Sequence, residues 1–392
     1  DRYPYVYVSY TTKRSDSIYT RLERFSYKGD TLTERKLLLE IPGNTGHNGS
    51  RLAFSKNGKL LWATGDAHSK TYSQDSTSLN GKILRMNDDG SLPEDNPIKG
   101  SYVYAWGFRN MQGLAVSDRG YVYTSEHGDA IEDEINIIEP LRNYGWPEIE
   151  GKHDLPEEKS FAAQKNTKEP LRSWTPVIAP AGLAYYNSGT IPEWKNSLLL
   201  TTLKSQTLRV LKLDESGKEI VSEDIFLENI YGRLRAVTVL PNGDVYLATS
   251  NKDWNPQLGF PKSGDDKILR LTRVENAAKE PFRGKRVDST SPQEKQSGEA
   301  LYKAYCASCH KADGSGLGEV FPALKGSNMV LGDKPDLIRA YLEGISREGK
   351  AELMPAFQFL SDEDGAAILS YIRTSWGNKG TAVQPEEIKK HR

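Results

Sequence analysis

The 392-residue sequence contains only two cysteines, which excludes a disulfide-stapled scaffold. It has no surplus of either charge: 52 Lys and Arg stand against 53 Asp and Glu, a net charge of −1. The total does not hide a charged tail, because residues 291–392 carry 13 basic and 14 acidic side chains. A polyanion-binding protein shows a basic excess somewhere, so nucleic acid is not an expected partner. No apolar run approaches the ~18 residues of a bilayer-crossing helix. A leader-like opening is also missing, since Tyr5-Val6-Tyr7-Val8-Ser9-Tyr10 alternates like a strand. Hydrophobic residues amount to 37% and mean hydropathy is −0.63, enough for a core but only with long polar loops. Length alone suggests two domains, or three.

What is present starts with those cysteines, in Cys306-Ala307-Ser308-Cys309-His310. Three chemistries use such a pair: a redox dithiol, half of a zinc site, or covalent attachment of c-type haem. Zinc needs two further ligands at suitable spacing, and no second Cys pair exists. A dithiol has no use for the following His. Haem uses all three residues, with both thiols on its vinyl groups and His310 on the iron. A sixth ligand is expected downstream, where Met329 and Met354 are the candidates. Met354 lies in Leu353-Met354-Pro355-Ala356-Phe357, where the proline stiffens the loop. A helix start follows, with Ser361 and Asp364 at capping-box spacing. Met329 reads instead as an ordinary apolar residue near Leu324 and Val330. His/Met ligation raises the potential and suits an electron acceptor.

From Gly298 to Trp376 the sequence resembles a class I cytochrome c. The helix before the Cys motif, Gly314-Ser315-Gly316, Phe321-Pro322-Ala323-Leu324 and the Met-Pro loop carry the resemblance. It implies a small all-α haem c domain, expected at 297–378 and followed by a polar tail over 379–392.

The first 274 residues read as β throughout. Arg51-Leu52-Ala53-Phe54 leads through Asn57-Gly58 to Leu60-Leu61-Trp62-Ala63-Thr64. The same unit recurs from Gly113 through Arg119-Gly120 to Thr124, and from Ala236 through Asn242-Gly243 to Ala248. Gly182-Leu183-Ala184-Tyr185 starts another, and Lys82-Ile83-Leu84-Arg85 returns as Lys267-Ile268-Leu269-Arg270. Four-strand units of about 50 to 70 residues indicate a β-propeller. Four full units are counted, plus the outer strands of one before Gly43, so the chain is expected to begin inside a blade. The polar stretch 275–296 reads as a linker.

Several loops carry chemistry. His47 sits in Gly46-His47-Asn48-Gly49, and Asp66 follows the next strand, where it can orient the imidazole as a general base requires. A loop His on its own is more often structural. Arg109, Asn110 and Gln112 place donors before an inner strand, although Arg109 could simply support a turn. Ser125-Glu126-His127-Gly128-Asp129 precedes Asp133-Glu134; carbonyls of such a Gly turn can ligate Ca²⁺. The acidic residues alone read as a solvated face. Lys204, Arg233 and Arg235 flank inner-strand patterns, and together they suit a ligand with several carboxylates.

These motifs resemble the soluble quinoprotein glucose dehydrogenases and, more closely, the aldose sugar dehydrogenases. Gly107-Phe108-Arg109-Asn110-Met111-Gln112-Gly113, Glu126-His127-Gly128 and Asp133-Glu134-Ile135-Asn136 are the most specific strings. The resemblance implies a six-bladed propeller that binds pyrroloquinoline quinone (PQQ) over Ca²⁺ and oxidises aldose sugars at C1 to aldonolactones. It makes His47 the base with Asp66 behind it, and Arg109 the polariser of the quinone carbonyl beside Asn110 and Gln112. Lys204, Arg233 and Arg235 would hold PQQ oxygens, the carbonyls of Gly128 and Asp129 would hold Ca²⁺, and Trp174 would flank the PQQ plane. Gly46 stands where the glucose enzymes carry an acid. A fused cytochrome then takes the electrons and serves a downstream acceptor. Both cofactors imply a periplasmic or extracellular protein whose export signal would precede Asp1. A Ca²⁺-dependent lactonase-like hydrolase and a non-catalytic sugar- or protein-binding propeller are the competing readings.

Overall fold

The structure is a computed structural model and describes residues 5–253, 259–274, 284–287, 296–318, 321–345 and 354–392. Most of the expected linker, 275–296, lies outside these residues, as does Leu353. The chain divides into two compact units, Asp1–Thr249 with Lys267–Val287, and Ser250–Asp266 with Asp288–Arg392.

The first unit is a series of antiparallel sheets. β1 (Tyr5–Arg14), β2 (Ser17–Lys28) and β3 (Thr31–Pro42) form one. β4 (Gly49–Phe54), β5 (Leu60–Thr64), β6 (Lys82–Met86) and β7 (Val103–Trp106) form the second. The third contains β8 (Met111–Val116), β9 (Val122–Glu126), β10 (Asp133–Ile138) and β11 (Arg172–Trp174). In the fourth are β12 (Pro180–Tyr186), β13 (Ser197–Thr202), β14 (Leu208–Leu213) and β15 (Ile220–Phe226). The fifth holds β16 (Leu234–Val239), β17 (Val245–Thr249) and β18 (Ile268–Leu271). A short β19 (Lys285–Arg286) returns to pair with β15, so this unit extends past the expected boundary at 274.

Apart from the returning β19, strand order follows chain order in the sheets, the meander that each strand–turn–strand repeat encodes. Gly58 shows why: its φ of 76° closes the Ser55–Lys59 turn, with Gly58 N–H donating to Ser55 O at 2.9 Å. The first strands of sheets two to five, β4, β8, β12 and β16, pack side by side, as the inner strands of a propeller do. Five blades are found among the described residues, against the six that the resemblance implied.

Period-2 alternation holds the blades together. Leu60 and Trp62 point to a core shared with Leu22 and Ile41, whereas Leu61 and Ala63 point to one shared with Phe108 and Leu114. Leu198 and Leu200 pack with Tyr123 and Ile135, while Leu199 packs with Leu234 and Leu247. Strands buried on both faces read as continuous apolar runs, and each such Leu contributes about 1.5–3 kcal/mol by leaving water.

The propeller segment is not β throughout. Helix α1 (Pro156–Lys165) interrupts the β10–β11 connection. Glu158 anchors its start by accepting from Leu155 N–H at 3.1 Å and Asp154 N–H at 3.2 Å. Only Glu158 is buried on it, so it presents no apolar period for the sequence to reveal.

The second unit is helical. α2 (Gly298–Tyr305) leads into α3 (Ala307–His310), followed by α4 (Asn328–Leu331), α5 (Lys334–Glu343), α6 (Asp362–Thr374) and α7 (Pro385–Lys389). Ser297 and Ser361 cap α2 and α6 by accepting from Ala300 and Asp364 N–H at 3.2 and 3.1 Å. Residue 298 must be glycine where α2 crosses α6, since a Cβ there would lie 2.2 Å from Ala367 O. Residues 379–392 are not a polar tail. Val383 and Ile388 are buried in the helical core, Ser370 Oγ bonds Val383, and Lys334 pairs with Glu387 at 2.9 Å.

Candidate active site

The polar side chains singled out above lie at the starts of the inner strands β4, β8 and β16 and in the loops after β5, β9 and β13. His47 lies two residues before β4, at φ 54°, and Asp66 follows β5. His47 Nδ1 lies 3.0 Å from Asp66 Oδ1, which leaves Nε2 as the other ring nitrogen. Asp66 is almost fully buried and accepts two more bonds, from His68 N–H on Oδ1 and Trp146 Nε1–H on Oδ2, each at 2.9 Å. Burial, then Arg109, push the His47 pKa below its ordinary value, while Asp66 pulls it up. The balance keeps the imidazole neutral, the state a base needs.

Arg109 enters before β8. Its Nη2 donates to Asp129 Oδ1 at 2.6 Å, and its guanidinium carbon lies 5.3 Å from the Trp146 ring centre. Lys70 approaches the same carboxylate at 3.6 Å. Beside Arg109, Gln112 Nε2 donates to Asn110 Oδ1 at 2.9 Å, and that oxygen also receives Gly49 N–H. Arg109, Asn110 and Gln112 therefore belong to one network with the His47 loop. Arg51 joins it by donating to Gln112 O at 2.5 Å. Burial and the neighbouring Arg235 lower the Arg51 pKa, so two cations share this region. Arg233 is buried, and Lys204 acts electrostatically on Asp133.

The acidic residues after β9 are not a solvated face. Glu126, Asp133 and Glu134 are buried, and Glu126, Glu132, Glu134 and Glu150 line one small cavity beside Gly128. Asp133 accepts from Gly128, Ile178 and Ala179 N–H, which tethers the loop. Burial pushes Asp133 up to about 6, and burial together with a neighbouring carboxylate pushes Glu134 and Glu150 up to about 7. Burial and Glu134 raise Glu126 well above its usual range. Among the described residues no group of three or more His, Cys, Asp or Glu side chains is placed to hold a metal ion. Trp174 is buried in the core between the third and fourth sheets, and its indole N–H points at Glu223, 3.2 Å away.

In the helical unit Cys306 ends α2 and Cys309 lies on α3. His310 Nδ1 faces Pro322 O at 2.8 Å, which fixes the ring and leaves Nε2 for a ligand. Met354 is half-buried and packs against the core that includes Cys306, whereas Met329 is 51% exposed on α4.

Residues 1–256 match the family described as Glucose / Sorbosone dehydrogenase. The chain belongs to that family. Residues 293–372 match a second family, Cytochrome C oxidase, cbb3-type, subunit III, so this glucose/sorbosone dehydrogenase-family chain carries a C-terminal cytochrome c domain. A PQQ-bound aldose sugar dehydrogenase from Streptomyces coelicolor is 35% identical, with a TM-score of 0.59 over 69% of this chain and 75% of that one. The aldose sugar dehydrogenase of Escherichia coli is 33% identical over 52% of this chain and 57% of its own. The cytochrome subunit of a Gluconobacter japonicus fructose dehydrogenase is 38% identical over 24% of this chain and 22% of its own. The chain spans 65% of the length of a matching Synechocystis protein and 57% of the Escherichia coli enzyme. Among the described residues no helix is long and apolar enough to cross a membrane.

His68 and Trp146 are the functional candidates that sequence reasoning missed in this family member. The only signal for His68 was its place two residues after Asp66; Trp146 stood in a Gly-Trp-Pro string with no link to Asp66.

Proposed function

We propose that the chain oxidises an aldose at C1 to an aldonolactone with PQQ and passes the electrons to haem c in its own cytochrome domain. The hydrogen-bonded His47–Asp66 pair beside Arg109 carries this reading. The residues suit an anionic, acceptor-rich cofactor. Arg109 Nε is buried with no hydrogen-bond partner among the described residues, and Arg51 and Arg235 repel one another. A planar quinone bearing carboxylates meets both demands. The carbonyls of Gly128 and Asp129 would hold Ca²⁺, whose charge would also favour the ionised forms of Glu126, Glu134 and Glu150.

When bound, PQQ supplies the two-electron acceptor, Ca²⁺ a Lewis acid and haem c a one-electron exit. His47 Nε2 takes the proton of the C1 hydroxyl. Asp66 holds Nδ1–H and stabilises the imidazolium that forms, in the way a buried carboxylate supports a catalytic His. Arg109 would polarise the quinone carbonyl, with Asn110 and Gln112 beside it. Lys204, Arg233 and Arg235 would hold the remaining cofactor oxygens. Cys306 and Cys309 would attach the haem, with His310 and Met354 on its iron. A downstream cytochrome, oxidase or dye would take the electrons. Haem attachment of this kind would fit a working protein in the periplasm or outside the cell.

Apoprotein loaded with PQQ and Ca²⁺ is expected to reduce its own haem when an aldose is added, and His47→Ala to stop this. Lactone hydrolysis without PQQ would replace this reading with the hydrolase; sugar binding without PQQ binding would replace it with the non-catalytic propeller.

A further inference from the structure

The His68 ring lies on the His47 ring, with centres 3.8 Å apart and planes tilted by 31°. The backbone builds this pair. His47 and His68 both hold positive φ, 54° and 60°, and His68 N–H donates to the same Asp66 oxygen that faces His47 Nδ1. Gly46 makes room for it, because a Cβ at that position would sit 2.6 Å from His68 Nε2. The departure at residue 46 thus has a local cause: an imidazole fills the space that a side chain would take.

We propose that His68 is a positioning residue for the proton transfer at His47, clamping the base ring edge-on to Asp66 and keeping water off its face. This inference rests on His47 being the base. A flat ring stacked at van der Waals distance restricts rotation about the His47 side-chain bonds, so Nε2 keeps one direction. It also excludes solvent from the ring, the leading cause of the depressed His47 pKa. The groups acting on His47 are Asp66, Arg109 and Asp129; those acting on His68 are His47, Asp66, Arg109 and Asp129. Burial and then His47 push His68 down to about 4. His68 therefore stays neutral when His47 takes the C1 hydroxyl proton, and the new imidazolium rests against an uncharged π face.

The test compares His68→Ala, His68→Phe and Gly46→Ala with the parent holoprotein, using ring-labelled histidine NMR. The chain has only six histidines, so His47 can be assigned by its own substitution. In His68→Ala the His47 titration is expected to move up toward the free-histidine value of about 6.5, and in His68→Phe to stay near the parent. Gly46→Ala, which pushes the His68 ring away, should behave like His68→Ala. With aldose, kcat should fall roughly tenfold in His68→Ala with little change in KM, the acid limb should follow the NMR shift, and Phe should restore most of the rate. An unchanged His47 titration in a folded His68→Ala protein overturns the clamp even if the parent oxidises aldoses. A shifted titration in a parent that oxidises no aldose supports the clamp and retires the sugar reading.

Discussion

Trp146 donates its indole N–H to Asp66 Oδ2 at 2.9 Å, from a position 80 residues further along the chain. Because the other oxygen of Asp66 faces His47, the indole sets the plane in which the base is held. Replacing Trp146 with Phe leaves a buried carboxylate oxygen unsatisfied, at a cost of about 1–3 kcal/mol. Thermal melts should show that loss, and kcat should drop while KM for the sugar changes less.

Asp66→Asn is expected to be more severe. An amide can present NH₂ to His47 Nδ1, which selects the wrong tautomer and removes the charge that supports an imidazolium. Loss of general base catalysis predicts a fall in kcat of roughly 10²–10⁴-fold with the fold retained. Steady-state rates beside circular dichroism spectra check this.

Calcium should stabilise the propeller more at pH 8 than at pH 5. The folded pKa values of Asp133, Glu134 and Glu150 are raised to about 6, 7 and 7. In their case the folded state binds more protons than the unfolded chain, so stability is full below their unfolded pKa and is lost as pH rises through 6 to 7. A cation beside Gly128 offsets that loss. Chelation is therefore expected to lower the melting temperature at pH 8 and to change little at pH 5, as followed by calorimetry. Glu134→Gln should shrink the difference.

Met354→Ala should lower the reduction potential of the haem and open the iron to added imidazole, whereas Met329→Ala should do neither. Spectroelectrochemical titration separates the two. Ile388→Ala, in α7, should destabilise the helical unit by about 2–5 kcal/mol, because this fully buried side chain closes the core. A solvated tail would show no such effect in a denaturant melt.

The features legible in the sequence are those whose residues are adjacent or periodic. Cys306, Cys309 and His310 are contiguous, and Leu60 to Thr64 follows a period that burial on both faces explains. Illegible features depend on contacts across the chain or on too few apolar positions. Helix α7 has little beyond Ile388 to signal its buried face. Glu126 and Glu134 look like solvent residues until the fold folds them inward. The bond from the Trp174 indole N–H to Glu223 spans 49 residues, and no local pattern announces it. The stack of His68 on His47 needs two positive-φ residues and a glycine in register, which no local pattern announces.

The central claim is that sugar oxidation in the propeller is matched by electrons in the haem of the same chain. An anaerobic sample of PQQ- and Ca²⁺-loaded protein, mixed with limiting aldose, allows reduced haem and aldonolactone to be counted together. Oxidation at C1 releases two electrons and the single haem c of the chain accepts one, so about one haem should be reduced per lactone formed, with the second electron left on the cofactor. Lactone without reduced haem, or reduced haem without lactone, would contradict the account.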